Sequence, residues 1–191
     1  MPLFHTSRER WLWLAALGYT LLIYSTLVVA KQATIFLRER NLLRLTVGLA
    51  FGVVAVVAVV LLARLRLPGR AWLALLGIAL GYAAVFPFAV APEERLHLIE
   101  YGGLALLIFG ALSERSRARV GAGGRPWPLR LRALVALLLT SLLGFGDELI
   151  QGLLPSRVYD LRDVAFNAAA AALALAAAGL LEWSRGVSGV R

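Results

Sequence analysis

Residues 45–63 read LTVGLAFGVVAVVAVVLLA, an apolar run without a charged side chain. A helix rises about 1.5 Å per residue, so a run of this length covers the roughly 30 Å hydrocarbon core of a bilayer. A helix that is apolar on every side is typical of a membrane span or of the interior of a large protein. The stretch therefore predicts a transmembrane helix.

The composition of the whole chain agrees with this prediction. Of 191 residues, 60% are hydrophobic and 16% are charged, whereas a soluble domain has roughly 45–50% apolar residues. The net charge is +9, but the basic residues lie in short gaps between apolar runs, which indicates basic membrane loops and no nucleic-acid partner. Because cysteine is absent, disulfides, thiolate nucleophiles and Cys-type zinc sites are excluded.

Six runs are long enough to cross a bilayer, and we predict an all-α bundle of about six transmembrane helices. The expected spans are 11–30, 42–63, 71–90, 96–112, 131–154 and 164–183. Residues 1–92 would supply three supporting helices and residues 93–191 the membrane core. The first run is too long for the core of a signal peptide, so we interpret it as a retained helix. Pro87 is expected to kink or end the third helix.

The loop charges predict the orientation. With the N-terminus inside, thirteen Lys and Arg residues lie inside and seven outside, so both termini are expected to be cytoplasmic. Residues 113–130 are read as a flexible basic loop over the inner leaflet. Residues 31–44 are basic although they lie outside, and we interpret them as an interfacial amphipathic stretch.

Most carboxylates gather near the predicted outer face. They are Glu93, Glu94, Glu100, Asp147, Glu148, Asp160 and Asp163. Ionisable groups within a membrane usually face the bundle interior or a wet cavity. We therefore expect an outer-facing cavity bounded by His97, Glu148, Gln151, Arg157, Asp163 and Asn167.

Helical spacing pairs several of these side chains. Residues three or four positions apart share a helix face, which pairs Asp147 with Gln151, Glu148 with Gln151, His97 with Glu100, His97 with Tyr101, and Asp163 with Asn167. Asp147 and Glu148 are adjacent and diverge by about 100° on a helix. We therefore expect the two carboxylates not to serve the same atom.

The motif Asp147-Glu148-x-x-Gln151-x-x-x-Pro155-x-Arg157, followed by Asp163-x-x-x-Asn167, resembles the signature of the VanZ-like family. The upstream His97-x-x-x-Tyr101 fits a further element of that family, and the resemblance covers roughly residues 93–183. Two features depart from the family pattern: Glu93-Glu94 replaces a frequent Asp-Lys pair, and alanines stand where glycines often follow the asparagine. The resemblance implies a small multi-spanning bacterial protein of the cell envelope. The founding member is associated with low-level teicoplanin resistance, and no reaction is established for the family.

The candidate site residues each have a functional and a structural interpretation. Glu148, His97 and Asp147 are candidate catalytic residues, as general acids or bases, or they are buried groups that hold helices together. The candidate substrate-binding residues are Gln151, Arg157, Asp163, Asn167 and Tyr101. Arg157 either binds a phosphate or carboxylate or pairs with a nearby aspartate, and Asp163 is expected to cap span six. We predict no metal and no cofactor, because the chain lacks a P-loop, a dinucleotide fingerprint and a zinc motif.

Three classes of function follow. The first is an enzyme of the bacterial inner membrane that acts at the outer leaflet on a lipid or lipid-linked envelope precursor. The second is a non-catalytic amphiphile-binding protein or transporter. The third is an assembly subunit whose polar cluster is structural.

Overall fold

Long helices form nearly all of the secondary structure in the computed structural model, which describes residues 3–65, 67–89, 92–154 and 159–188. The α-helices are α1 (Ser7–Glu39), α2 (Leu43–Ala63), α3 (Gly69–Val85), α4 (Leu96–Gly121), α5 (Leu129–Leu153) and α6 (Leu161–Ser188). Within the described residues there is no strand. The prediction of an all-α bundle is confirmed.

Five of these helices, α2 to α6, are long and apolar enough to cross a membrane. The sixth span is α1 when its two arms, Ser7–Leu27 and Lys31–Glu39, are counted together, and these arms differ in direction by 61°. Just before the bend, the hydroxyls of Ser25 and Thr26 donate to the carbonyls of Leu22 and Ile23, at 2.8 and 2.7 Å. Such back-bonding by short polar side chains favours helix bending. The chain is a multi-pass membrane protein of five to six spans.

The helix α4 lies at the centre of the bundle. It packs against α1, α5 and α6, while α3 packs against α6 and α2 has few neighbours. Alanines allow the close approach of α4 and α6, since Ala170 and Ala171 are fully buried and small residues let helix backbones come together. The alanine-rich α6 therefore packs against three helices, α3, α4 and α5.

The end of α4 differs from the sequence prediction, whereas the expected effect of Pro87 is confirmed. The fourth span does not end at residue 112, because α4 continues to Gly121 through half of the segment that we interpreted as a flexible loop. The extension is ordered by side-chain contacts: Glu114 pairs with Arg8 of α1 at 3.3 Å, and the Ser116 hydroxyl accepts the backbone N–H of Trp127 at 2.8 Å. As expected for a proline, Pro87 lies where α3 gives way to a short 3-10 turn.

The start of α1 and the end of α6 lie at the same end of the bundle. Arg8 contacts Glu114 there, and Arg132 contacts Glu182. We call this the basic end; it holds the start of α1, the end of α4, the start of α5 and the end of α6. The opposite acidic end holds the start of α4, the end of α5 and the start of α6.

The lysine and arginine distribution predicts that the basic end faces the cytoplasm. The chain has no cysteine, so a single introduced cysteine reports its own location. We expect a membrane-impermeant maleimide to label E39C on spheroplasts, and to label R125C only after the membrane is permeabilised. Both positions are exposed. Labelling in the reverse order would show that the orientation is inverted.

Candidate functional site

Five polar side chains converge between α4, α5 and α6 near the acidic end. This buried polar cluster consists of Tyr101, Asp147, Glu148, Gln151 and Asn167. Their exposed fractions are 0%, 0%, 0%, 4% and 1%. Each lies on the face of its helix that points into the bundle, so the sequence-predicted residues of the three helices are brought together.

Gln151 links the two adjacent carboxylates. Its Nε2 donates to Asp147 Oδ2 at 3.3 Å and to Glu148 Oε1 at 3.0 Å. Both pairs predicted from helical spacing are therefore confirmed. The expectation that the two carboxylates do not serve one atom is wrong, because Gln151 lies one turn further along α5, on the helix face between them.

Glu148 also holds the connection between α5 and α6. Its second oxygen, Oε2, accepts the backbone N–H of Asp160 at 3.3 Å. Asp160 in turn accepts the N–H of Arg162 at 2.8 Å, which is the bond of a helix N-cap. Asp160 therefore caps α6, and the prediction that Asp163 does so is wrong: α6 begins at Leu161 and Asp163 lies within its first turn.

Asp160 is stabilised as a carboxylate. The guanidinium of Arg162 hydrogen-bonds its side chain and keeps the pKa of Asp160 below the ordinary value for an aspartate. Because Arg162 and Asp160 are two positions apart at the start of α6, this pair shapes the entrance to the helix. An ion pair with a nearby aspartate was one of the two roles that we considered for Arg157, and here Arg162 forms such a pair.

Tyr101 and Asn167 meet at a glycine. The Tyr101 hydroxyl lies against the Asp147 carboxylate, and Gly144 of α5 lies against both side chains. A Cβ atom on Gly144 would stand 3.1 Å from Asn167 Cβ and 3.2 Å from Tyr101 Cε1. Within the described residues, neither carboxamide atom of Asn167 has a hydrogen-bond partner. This amide is therefore available to a polar group that enters the cluster.

His97 lies at the edge of the cluster. Its Nε2 is 4.0 Å from Glu100 Oε2, and its ring packs edge-on against Tyr101 with centroids 6.0 Å apart. Both contacts match the predicted spacing, and the contact with Glu100 fits the structural interpretation of His97. Among the described residues, no group of three or more His, Asp or Glu side chains is arranged to hold a metal ion.

The expected outer cavity differs from what the structure shows. Glu148, Gln151 and Asn167 are enclosed by the helices instead of lining an open cavity, while Asp163 is half-buried at the start of α6. Arg157, a predicted binding residue, lies outside the described residues. The reason for the enclosure is the tight contact of α5 with α4 and α6 at Gly144, which leaves little space between them.

A second polar group, which we did not predict from the sequence, lies at the basic end. Glu9 is fully buried and pairs with Arg115 at 2.8 Å. Arg132, one of the thirteen basic residues that we counted on the inside, is buried and binds Glu182 through two hydrogen bonds, at 3.0 and 2.5 Å. A signal was available: each of these carboxylates lies at a helix end next to a basic segment, where an ion pair lowers the cost of burial.

The comparisons with known proteins add no relative: no family profile, curated protein or solved structure matches the chain. The fold and the site together define its class. It is a multi-pass helical membrane protein with a buried polar cluster at one end and a network of ion pairs at the other.

Proposed function

We propose that this chain is a bacterial inner-membrane protein that acts at the outer leaflet on a lipid or lipid-linked envelope precursor, with Glu148 as the acid or base. The observation that carries the proposal is the position of Glu148. Its carboxylate is completely buried, and one of its oxygens accepts the backbone N–H of Asp160, just before the start of α6. Asp160 is half-buried at the start of α6, so this oxygen lies close to the end of the bundle from which a substrate would approach.

The neighbouring groups suit proton transfer. The side-chain amide of Gln151 donates a hydrogen bond to Glu148 and orients it. The same amide also donates to Asp147. Two carboxylates that share one donor in a low-dielectric site repel each other when both are ionised. This repulsion favours a proton on one of the two carboxylates. A general acid must carry such a proton in order to donate it.

Asn167 is a suitable substrate-binding residue. Its carboxamide is buried, and its donor and acceptor are both unused within the described residues. An unsatisfied buried amide costs free energy that an incoming hydroxyl, phosphate or amide would recover. The VanZ-like resemblance of the Asp147 to Asn167 region supports the same envelope context, and it extends the proposal to an effect on teicoplanin susceptibility.

The second candidate is a structural role for the cluster within a membrane assembly. One observation favours it: Tyr101, Asp147 and Glu148 are each 0% exposed. Buried polar groups also hold helices together by hydrogen bonds across their interfaces. A non-catalytic amphiphile-binding protein or transporter is the third candidate, and it would depend on Arg157 more than on Glu148.

The test compares envelope lipids and cell-wall precursors by mass spectrometry in four strains. One lacks the gene, and the others are restored with the wild type, with E148Q or with the control E39Q. Glu39 is an exposed carboxylate at the end of α1. We expect a species that accumulates without the gene to be cleared by the wild type and by E39Q, but not by E148Q at matched protein level.

Other outcomes decide between the remaining classes. If no species changes on deletion, or if E148Q clears it fully, the enzymatic proposal fails. Loss of the E148Q protein from the membrane, with E39Q at normal abundance, would support the structural role. A partial effect of E148Q together with a stronger effect of R157A would support binding or transport. Teicoplanin susceptibility is measured in the same strains.

A further inference from the structure

A cavity of about 260 Å³ lies at the basic end, where α1 and α6 both pack against α4. Its rim is formed by Arg8, Ser113, Glu114, Arg117 and Glu182. It lies at the opposite end of the bundle from Glu148 and the other residues of the buried polar cluster. The cavity therefore does not belong to the site proposed above.

The cavity changes from charged to apolar along the membrane normal. On α1, Arg8 at the rim is followed one turn deeper by Leu12. On α4, Glu114 at the rim is preceded one turn deeper by Gly110, and on α6 Glu182 is preceded one turn deeper by Ala178. Leu12, Gly110 and Ala178 line the deeper part, together with Phe109 and Leu181. A ligand that fits this gradient has a polar head at the membrane surface and an apolar part below it.

The rim holds two guanidinium groups that converge on one oxygen. Arg8 Nε lies 3.3 Å and Arg117 Nη1 lies 2.5 Å from the same atom, Glu114 Oε1. Two cations share this anion, and the other rim carboxylate, Glu182, is neutralised by Arg132, so the group keeps a net positive charge. Both arginine side chains are largely exposed, at 76% and 63%, whereas that of Glu114 is 12% exposed. The guanidiniums are therefore able to turn toward an incoming anion.

We propose that this cavity binds an anionic phospholipid of the inner leaflet, with Arg8 and Arg117 on the phosphate and the glycerol region against the apolar wall. Arginine pairs bind phosphate oxygens with directed, charge-assisted hydrogen bonds. Basic pockets between transmembrane helices on the cytoplasmic side are a recurrent type of lipid site. The lipid would seal the groove between α1 and α6.

The carboxylate of Glu114 occupies the place of the phosphate when no lipid is bound. It competes with the lipid for the same two guanidiniums, which predicts opposite effects for two variants. Removing the arginines weakens lipid binding, while removing the charge of Glu114 strengthens it. A purely structural ion-pair network predicts no gain in lipid binding for the second variant.

The experiment titrates phosphatidylglycerol or phosphatidylcholine onto the purified full-length chain in detergent and counts bound lipid by native mass spectrometry. A basic residue near a charged lipid surface contributes roughly a factor of five in affinity. We expect R8Q/R117Q to weaken phosphatidylglycerol binding by about thirtyfold and E114Q to strengthen it by about fivefold. Phosphatidylcholine binding should change little in either variant.

The control double variant R119Q/R125Q removes the same charge from exposed positions outside the cavity and should retain the preference for phosphatidylglycerol. If both double variants lose phosphatidylglycerol binding equally, the proposal is overturned, because general surface charge would then explain the binding. Equal displacement of the lipid by soluble glycerol phosphate would overturn it in favour of a soluble anion. An E114Q protein without increased binding would overturn it even if R8Q/R117Q fails to fold.

Discussion

The variant R132Q is expected to lower the free energy of unfolding by about 2 to 3 kcal/mol. Arg132 is 7% exposed and its side chain makes four hydrogen bonds. Besides its two bonds to Glu182, its Nη1 donates to the Ser113 hydroxyl at 2.7 Å and its Nε to the Trp127 carbonyl at 3.3 Å. These bonds join α5 to the ends of α4 and α6.

The expected cost lies below the upper range for a buried ion pair because one partner keeps contact with the solvent. The Glu182 side chain is 37% exposed, so water relieves part of its charge when Arg132 is removed. Most of the loss comes from the Ser113 and Trp127 groups that are left without their donor.

The measurement is reversible unfolding of the purified protein in mixed detergent micelles. R130Q is the matched control, because Arg130 is an exposed arginine two positions earlier on the same helix, and it should change stability by less than about 0.5 kcal/mol. If the ion pair matters, E182Q should cost less in the R132Q background than in the wild type. Equal destabilisation by R132Q and R130Q would refute this account of the basic end.

The variant G144L is expected to destabilise the bundle by about 3 kcal/mol. A Cβ at position 144 already comes within 3.2 Å of Asn167 and Tyr101, and both side chains are at most 1% exposed. Since close-packed interiors have little free volume, the three further carbon atoms of leucine require α5 to move away from α4 and α6.

The same substitution at Gly52 is the control. Gly52 lies on α2, and a Cβ there would meet nothing within 4 Å, so G52L should leave stability nearly unchanged in a lipid or detergent environment. Both variants are followed by the same unfolding assay. A G144L protein as stable as G52L would show that the three-helix contact is loose, and it would weaken the case for an enclosed cluster.

The two ends of the bundle use polar groups in different ways. At the basic end, opposite charges are paired between helices, as in Glu9 with Arg115. At the acidic end, the carboxylates Asp147 and Glu148 share the amide of Gln151. Charged pairs of opposite sign hold helix ends together, whereas adjacent carboxylates on one donor favour a group whose proton is exchangeable. This contrast is why we assign the proposed chemistry to the acidic end.

The sequence by itself determined the class of fold, and its candidate site residues included all five members of the buried polar cluster. Apolar runs of about twenty residues allow only a helix across a bilayer, because unpaired backbone groups are too costly there. Spacing of three or four residues then determined the contacts within one helix, such as Gln151 with Glu148 and His97 with Glu100. These relations are local, so they can be read from the chain.

Only the tertiary structure decided how residues on different helices meet. The pairing of Arg132 with Glu182, fifty positions apart, depends on α5 and α6 being neighbours, and the burial of Asp147 depends on the close contact at Gly144. The length of α4 was also decided this way, because its last two turns are held by contacts with α1 and with Trp127. Apolar periodicity carries no information on which helices pack together, since lipid and protein neighbours are equally apolar.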